Sequence, residues 1–331
     1  MKKLLTFCVA LILCVFTGFS FAGCGEDEIN INIYMPDGAP ALAMAKLMYD
    51  DNDFGEDVDY NVVASSNISN YILQKKADVA ILPINMASKI LGDGENYKVV
   101  ATVTNGNLYI VSNKDISTLA DLNNEVIGVI GEGLVPDLTL KALLDDNDID
   151  YIESETTVEN KVAFRYFSDA STLIPMLKNS ATSGLCFGLL PEPAVSKLLT
   201  MASDYNIELD IQALWDGGSY PQAVLVAKKS LCNNKTLINS ILNAMRDNES
   251  WVLANSSKAV DAINDNLEEG LVASLSNTIS STAIENCNIK VVATSESGEI
   301  ARMKSYLEKI RSVSSVAVGN YTDNLFLTYE N

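Results

Sequence analysis

Residues Leu185–Leu199 read LCFGLLPEPAVSKLL, and residues Ala77–Leu91 read ADVAILPINMASKIL. Aligned without gaps, the two stretches share Leu82/Leu190, Pro83/Pro191, Ser88/Ser196, Lys89/Lys197 and Leu91/Leu199. Most other pairs match in size and polarity. Each copy is a short apolar run, then Leu-Pro, then apolar positions at helical spacing. That order describes a buried strand followed by a helix with proline near its first turn. Short helical patterns precede both copies, at Tyr71–Lys76 and Leu173–Lys178. A helix–strand–Pro–helix unit occurring twice, far apart in the chain, predicts two similar α/β lobes.

With 331 residues the chain has room for two domains of ordinary size, and 48% hydrophobic residues supply packed cores. Part of that apolar content is N-terminal. Met1-Lys2-Lys3 is basic, Leu4–Phe16 is an apolar run too short to span a membrane comfortably, and Phe21-Ala22-Gly23-Cys24 follows. This is the pattern of a secretory signal peptide. It resembles a lipobox, in which Cys24 becomes the acylated first residue of the mature chain. Phe21 stands where that pattern prefers an aliphatic residue, and an ordinary signal peptide or an uncleaved anchor is the plainer alternative. Residues 1–23 are read as the signal peptide and 24–28 as a polar tether.

The net charge is −20, and loss of residues 1–23 removes Lys2 and Lys3 but no acid. Such a chain lacks the basic footprint of a nucleic-acid binder. It equally lacks the charge to adhere to anionic lipid, so a membrane link rests on the acyl chains alone. The cysteines left after processing, Cys186, Cys232 and Cys287, are widely spaced and form neither a disulfide framework nor a zinc site. Cys186 is expected mid-strand as a small buried hydrophobe. There is no histidine. Ser-His-Asp and Cys-His nucleophile systems, HExxH zinc sites and most general-base schemes are therefore absent. No metal site and no cofactor is predicted. The acidic loops Asp50–Asp59 and Asp145–Asp150 lack an EF-hand ligand set, Phe54 and Asn61 standing where ligands belong in the first.

Strands are expected at Ile29–Met35, Val58–Ala64, Val79–Leu82, Lys98–Thr104, Leu108–Ser112, Glu125–Ile130, Val162–Tyr166, Ile207–Leu214 and Gln222–Ala227. Helices are expected at Ala41–Tyr49, after Ser65-Ser66-Asn67 as a cap, at Asp115–Leu122 as a turn, and at Asp137–Leu144 and Ala170–Lys178. From Ser230 the pattern is helical, at Leu237–Leu253, Ser257–Leu267, Leu271–Leu275 and Gly298–Val313, with no further strand. The alternation predicts an α/β fold, each lobe a mostly parallel sheet flanked by helices. Ligands then sit at the carboxyl ends of strands, near helix N-termini. The strand-to-helix turns are Pro36–Pro40, Ser65–Asn67, Pro83–Asn85, Gly131–Pro136 and Pro191–Pro193. With one lobe near 105–215, the first three face the last two across a cleft. The predicted ligand-binding residues are Pro36, Asp37, Gly38, Ala39, Asn67, Pro83, Ile84, Asn85, Thr104, Asn105, Asn107, Gly131, Glu132, Gly133, Leu134, Glu192, Ser219 and Tyr220.

The segments MPDGAPALAMAKL (35–47), ADVAILPINMASKIL (77–91), VIGVIGEGLVPDLTLKALL (126–144), LIPMLKN (173–179), LLPEPAVSKLL (189–199) and SYPQAVLVAKKSL (219–231) resemble bacterial ABC-importer substrate-binding proteins of the nitrate/sulfonate/taurine/thiamine-precursor type. The resemblance runs from about residue 29 to 255. Cys186 departs from it, standing where the family often has the acid seen at Asp78, and Asn179–Gly184 looks lengthened. The resemblance implies a two-lobed periplasmic-binding-protein fold of type II, with 29–105 plus 216–331 as one lobe and 106–215 as the other. It implies a monomeric, non-enzymatic protein that closes over a small molecule and docks on an ABC permease with its ATPase. An enzyme on the same scaffold, menaquinone- or pyrimidine-pathway-like, and a surface sensor or adhesin are the alternatives.

Free N–H groups at helix N-termini suit anions. Against an anion stand Asp37, Glu132 and Glu192 at the turns and a chain with four arginines, of which Arg165 alone falls in 106–215. The expected ligand is therefore neutral or cationic, with heteroaromatic compounds among the candidates. Tyr34, Tyr109, Trp215 and Tyr220 offer stacking faces or core packing, and Glu192 either accepts from an amino group or stabilises its helix end.

Overall fold

The computed structural model describes residues 30–329. The signal peptide and the whole tether, Cys24 included, lie outside the described residues. The chain builds two mixed six-stranded sheets. The strands are β1 Asn30–Pro36, β2 Asp57–Val63, β3 Val79–Pro83, β4 Tyr97–Asn105, β5 Leu108–Ser112, β6 Val126–Ile130, β7 Tyr151–Glu153, β8 Val162–Phe167, β9 Phe187–Pro191, β10 Asn206–Asp210, β11 Pro221–Lys228 and β12 Ile289–Ala293. The first sheet has the order β12-β4-β11-β3-β1-β2 and the second β10-β5-β9-β6-β8-β7. The helices of five or more residues are α1 Ala45–Tyr49, α2 Ile68–Leu73, α3 Ile84–Leu91, α4 Val135–Asp146, α5 Ala170–Lys178, α6 Ala194–Met201, α7 Lys235–Ala254, α8 Ser256–Asp265, α9 Ser281–Glu285 and α10 Glu299–Val313.

The repeated stretch occupies equivalent places in the two sheets. β3 lies between parallel β1 and antiparallel β11, and β9 between parallel β6 and antiparallel β5. Both are apolar runs with helices on both faces, as strands buried on two sides require. In the second sheet Gly128 and Gly188 are register partners. A Cβ on Gly128 would come within 2.4 Å of Leu173 Cδ1, and one on Gly188 within 2.6 Å of Leu177 Cδ1. The bare glycine pair is the seat of α5, whose Leu173 and Leu177 are fully buried. Burial of each such leucine contributes about 1.5–3 kcal/mol.

One hydrophobic cluster crosses from sheet to sheet. It includes Leu82 and Val224 from the first, Ile110, Val129 and Leu189 from the second, and Met303, Tyr306, Leu307 and Ile310 of α10. The free edges of the first sheet are blunted. On β12 the Val291 and Ala293 N–H groups donate to Glu249 (2.7 Å) and Glu296 (2.9 Å). On β2 a loop donates Glu268 N–H to Val62 O and accepts Val62 N–H at Asn266 O, both at 2.8 Å.

Several expectations are corrected. The Ala41–Tyr49 helix is two pieces, Ala39–Leu42 and α1. Asp115–Leu122 shrinks to a short 3-10 turn, Leu119–Leu122. Ile207–Leu214 divides at Asp210, whose carboxylate accepts from the Gln212 and Ala213 N–H groups and starts a helical turn, Ile211–Leu214. The segment 271–275 is not helical. β7 and β12 arise where no strand is expected, each a short edge strand with part of its side chains exposed. Asn67 precedes α2 without a side-chain cap. Cys186 stands before β9 rather than within it and is half-buried.

Gly188→Ala forces the new methyl against Leu177 and is expected to lower stability by about 1–3 kcal/mol, as overpacking does. Urea unfolding checks it, and a variant as stable as the parent would mean that α5 has slack over β9.

Candidate functional site

The chain crosses between the sheets twice, from β4 to β5 and from β10 to β11. The crossings are bound to each other and to the loop before β12. Gly106 N–H donates to Tyr220 O (2.9 Å), Asn105 N–H to Asn288 O (3.0 Å) and Asn288 Nδ2 to Gly106 O (2.5 Å). Gln222 exchanges two bonds with Asn107, at 2.7 and 3.2 Å. Gln212 Oε1 accepts from Leu108 N–H (2.7 Å) and the Tyr220 hydroxyl (3.3 Å). The Tyr220 ring is fully buried, stacked on Tyr306 with centroids 5.3 Å apart, and Trp215 leans on both. Asn105, Asn107 and Tyr220, read from sequence as ligand contacts, lie in the crossings; the Asn107 side chain, the Tyr220 hydroxyl and the Asn105 N–H are occupied there.

Register places the ends of β1, β2, β3 and β4 at one edge of the first sheet, and those of β6, β8 and β9 at one edge of the second. These edges face each other. Asn85, in the first turn of α3, donates from Nδ2 to Gly133 O of the opposite lobe and to Ala317 O, both at 3.4 Å. Its side chain is buried, and Oδ1 has no partner. Within the second lobe the β5–β9 ladder runs one step further, Glu192 N–H donating to Asn107 O at 3.0 Å. Pro83 and Ile84 adjoin Asn85, the former half-buried and the latter buried. Thr104 is buried beside Asn105, its hydroxyl unpartnered. Asn67, half-buried, begins α2 at the same sheet edge. Glu132 is exposed at the tip of its turn, between half-buried Gly131 and the half-buried pair Gly133 and Leu134.

Three turns carry a carboxylate on their own N–H groups. Asp37, flanked by buried Pro36 and by buried Gly38 and Ala39, accepts from Gly38 N–H (2.7 Å) and Ser274 N–H (2.6 Å). Asp137, in the first turn of α4, accepts from Gly133 N–H (2.8 Å), the Tyr166 hydroxyl (2.9 Å) and Lys141 (2.9 Å). Burial and then the Asp137 charge push the Tyr166 phenol up. Glu192 is 2% exposed and accepts from Ser196 N–H (3.0 Å) and Ser196 Oγ (2.9 Å). Burial raises the Glu192 carboxyl above the ordinary carboxylate value, and the Ser196 bonds oppose the rise.

Every arginine is paired with an acid: Arg165 with Glu155, Arg246 with Glu296, Arg302 with Glu299 and Arg311 with Glu308. Among the aromatic residues read as stacking faces, Tyr34 lies on Tyr71, with centroids 4.5 Å apart. Tyr109 is buried, its phenol pushed up to about 12 by burial first and then by Asp210 and Glu192. A cavity of about 620 Å³ opens beside β12 and includes Asn105, Ser219, Glu285, Asn288, Lys290 and Arg302 in its wall. Of the expected site residues, it takes in Asn105 and Ser219 and none of the turns. Among the described residues no group of His, Cys, Asp or Glu is arranged to hold a metal ion, and no helix is long and apolar enough to cross a membrane.

Sequence reasoning missed Gln212, Gln222, Asn288, Asp137 and Tyr306. The two glutamines flank the second crossing symmetrically, a signal available in the sequence. Asn288 had none, because β12 itself was not foreseen.

Two α/β lobes joined by two crossings, with strand ends facing across the junction, define the two-lobed periplasmic-binding-protein fold. A family model described as NMT1/THI5 like matches residues 52–259, and the chain belongs to that family. Solved structures share the fold. An ABC transporter protein from Parabacteroides distasonis superposes with a TM-score of 0.71 at 18% identity, covering 92% of this chain and 100% of that one. The ligand-binding component of an ABC-type import system from Staphylococcus aureus gives 0.62 at 12% identity, covering 90% and 96%. The periplasmic aliphatic sulphonate binding protein from Escherichia coli gives 0.62 at 10% identity, covering 91% and 94%. No curated protein sequence matches the chain.

An acid whose folded pKa is raised adds stability below its unfolded pKa and loses it as pH rises through the folded one. Glu192→Gln is therefore expected to flatten the fall in stability that sets in as pH rises above the ordinary glutamate value. Thermal unfolding across that rise in pH checks it; parallel profiles for parent and variant would show that burial does not perturb the group.

Proposed function

We propose that this chain is an extracytoplasmic solute-binding protein without enzymatic activity, which captures a small molecule between its lobes and presents it to an ABC import permease and its ATPase. The observation that carries the reading is Asn85. It reaches across the lobe junction to Gly133 and keeps a buried, unpartnered acceptor there. A buried unpaired acceptor costs about 1–3 kcal/mol, which a donor from a bound molecule offsets. The lobes in this reading are 29–105 with 216–331, and 106–215. Closure about the crossings follows if the solute binds the closed form better than the open one. The protein acts as a monomer, held to the outer face of the cytoplasmic membrane by acyl chains on Cys24, and needs no cofactor.

The solute is neutral or cationic and carries a hydrogen-bond donor. Asp37, Asp137 and Glu192 already sit on the N–H groups that would bind an anion at their turns. No arginine is left unpaired to clamp a sulfonate or carboxylate. The sulphonate-binding relative shares the fold at 10% identity, and its ligand is not carried over.

Native mass spectrometry of the purified chain, followed by thermal shift against amines, neutral heterocycles, vitamins and sulfonates, is expected to show stabilisation by the first classes and none by sulfonates. Asn85→Ala is expected to weaken the solute about tenfold or more, the equivalent of about 1.4 kcal/mol. Tight sulfonate binding would overturn the ligand class, and scattering that shows no compaction with any solute would overturn the function. Cys24→Ala is expected to move the chain from the membrane to the soluble fraction; unchanged membrane association would remove the lipid anchor.

A further inference from the structure

α10 is fastened to the first sheet at both ends. At its start Glu299 accepts a hydrogen bond from Thr102 of β4, while Arg302 grips the same carboxylate with two bonds of 2.9 Å. Past its end, the short helix Ser315–Val318 accepts from Ser88 (3.0 Å) and Asn85 (3.4 Å) of α3. The middle of α10 packs instead on α4, which belongs to the second sheet. The Tyr306 hydroxyl and Thr139 Oγ1 are 2.8 Å apart, and both side chains are buried. Lys309 pairs with Asp146 at the surface. Leu138 and Leu143 of α4 share one apolar cluster with Met303, Leu307 and Ile310. Tyr306 in turn stacks on Tyr220, in the second crossing.

We infer that α10 is a third interlobe connection, a strap that holds the unliganded lobes toward the closed arrangement. Two bare crossings leave the lobes free to part. A helix anchored on one lobe and buried against the other adds apolar area and a desolvated hydroxyl pair that opening must expose. The strap therefore lowers the reorganisation that a solute must drive, and solute affinity depends on residues that never touch the solute. The inference rests on the reading that the lobes move, but its test needs no solute.

The test is small-angle scattering of the ligand-free chain. Thr139→Val with Tyr306→Phe removes both members of the hydroxyl pair at nearly constant shape, which keeps the cost in fold stability small. Lys309→Glu then sets like charges against Asp146. The triple variant is expected to show a larger radius of gyration than the parent with circular dichroism unchanged. Adding Asp146→Lys, which restores an ion pair of reversed sense, is expected to bring the radius back toward the parent value. A folded triple variant with the parent's radius would overturn the strap. If the triple variant does not fold, Lys309→Glu and its Asp146→Lys rescue, both surface changes, are read alone, and no shift with either overturns it. A chain that binds no solute yet opens in the variants would sink the proposed function and leave the strap standing.

Discussion

At Gly106 the two polypeptide crossings touch, and this contact is what makes two sheets into one molecule. The Gly106 N–H bonds the Tyr220 carbonyl, and a Cβ at Gly106 would lie 2.5 Å from the Tyr220 ring. Only glycine lets the first crossing approach the face of the second so closely. With the crossings locked, Gln212 and Gln222 satisfy the backbone and Asn107 groups around them. The strand ends of the two sheets are then forced to face each other. A larger residue at Gly106 would displace Tyr220, and with it Tyr306 and Trp215, so the crossings and the C-terminal helix share one steric constraint.

The electrostatics follow a consistent plan. A chain of net charge −20 places acids mostly in solvent, yet buries Asp137 and Glu192 beside the lobe junction. Neither is an unpaired buried charge. Asp137 has Lys141, the Tyr166 hydroxyl and the Gly133 N–H; Glu192 has the Ser196 N–H and hydroxyl. Each rigidifies a turn and cancels the positive end of a helix that would otherwise draw an anion. The N–H groups of these turns are satisfied internally, and the buried Asn85 oxygen and Thr104 hydroxyl are polar groups near the junction with capacity to spare.

Much of the fold was legible because buried parallel strands are continuous apolar runs, and β3, β6 and β9 have no other reading. The repeat located the equivalent strand of each sheet. The edges were not legible. β7 is three residues long with two exposed, and β12 owes its pairing to β4 rather than to its own pattern. The site was half legible. Turn chemistry pointed to Asn85, Gly133 and Glu192, which the fold brings to the junction. It could not distinguish a residue with a spare acceptor at the junction from one bonded into the crossings, because Asn107 and Asn85 are the same side chain with different neighbours. The bland alternative fits Glu192, a helix-end acid bonded to its own Ser196, and Tyr34, a ring stacked on Tyr71.

The two copies of the Leu-Pro unit show how one scaffold serves two ends. In the first copy helix α3 begins at once after Pro83, so Asn85 falls in its opening turn and projects over the junction. In the second, Glu192-Pro193 replaces Ile84-Asn85, and α6 begins two residues later in the alignment, at Ala194. That delay lets the Glu192 carboxylate turn back onto Ser196 rather than outward. Ser196 aligns with Ser88, which likewise bonds locally, to the Asn85 carbonyl. The same serine therefore braces the turn in both lobes, while the two residues after each proline decide whether the turn reaches across the junction or closes on itself.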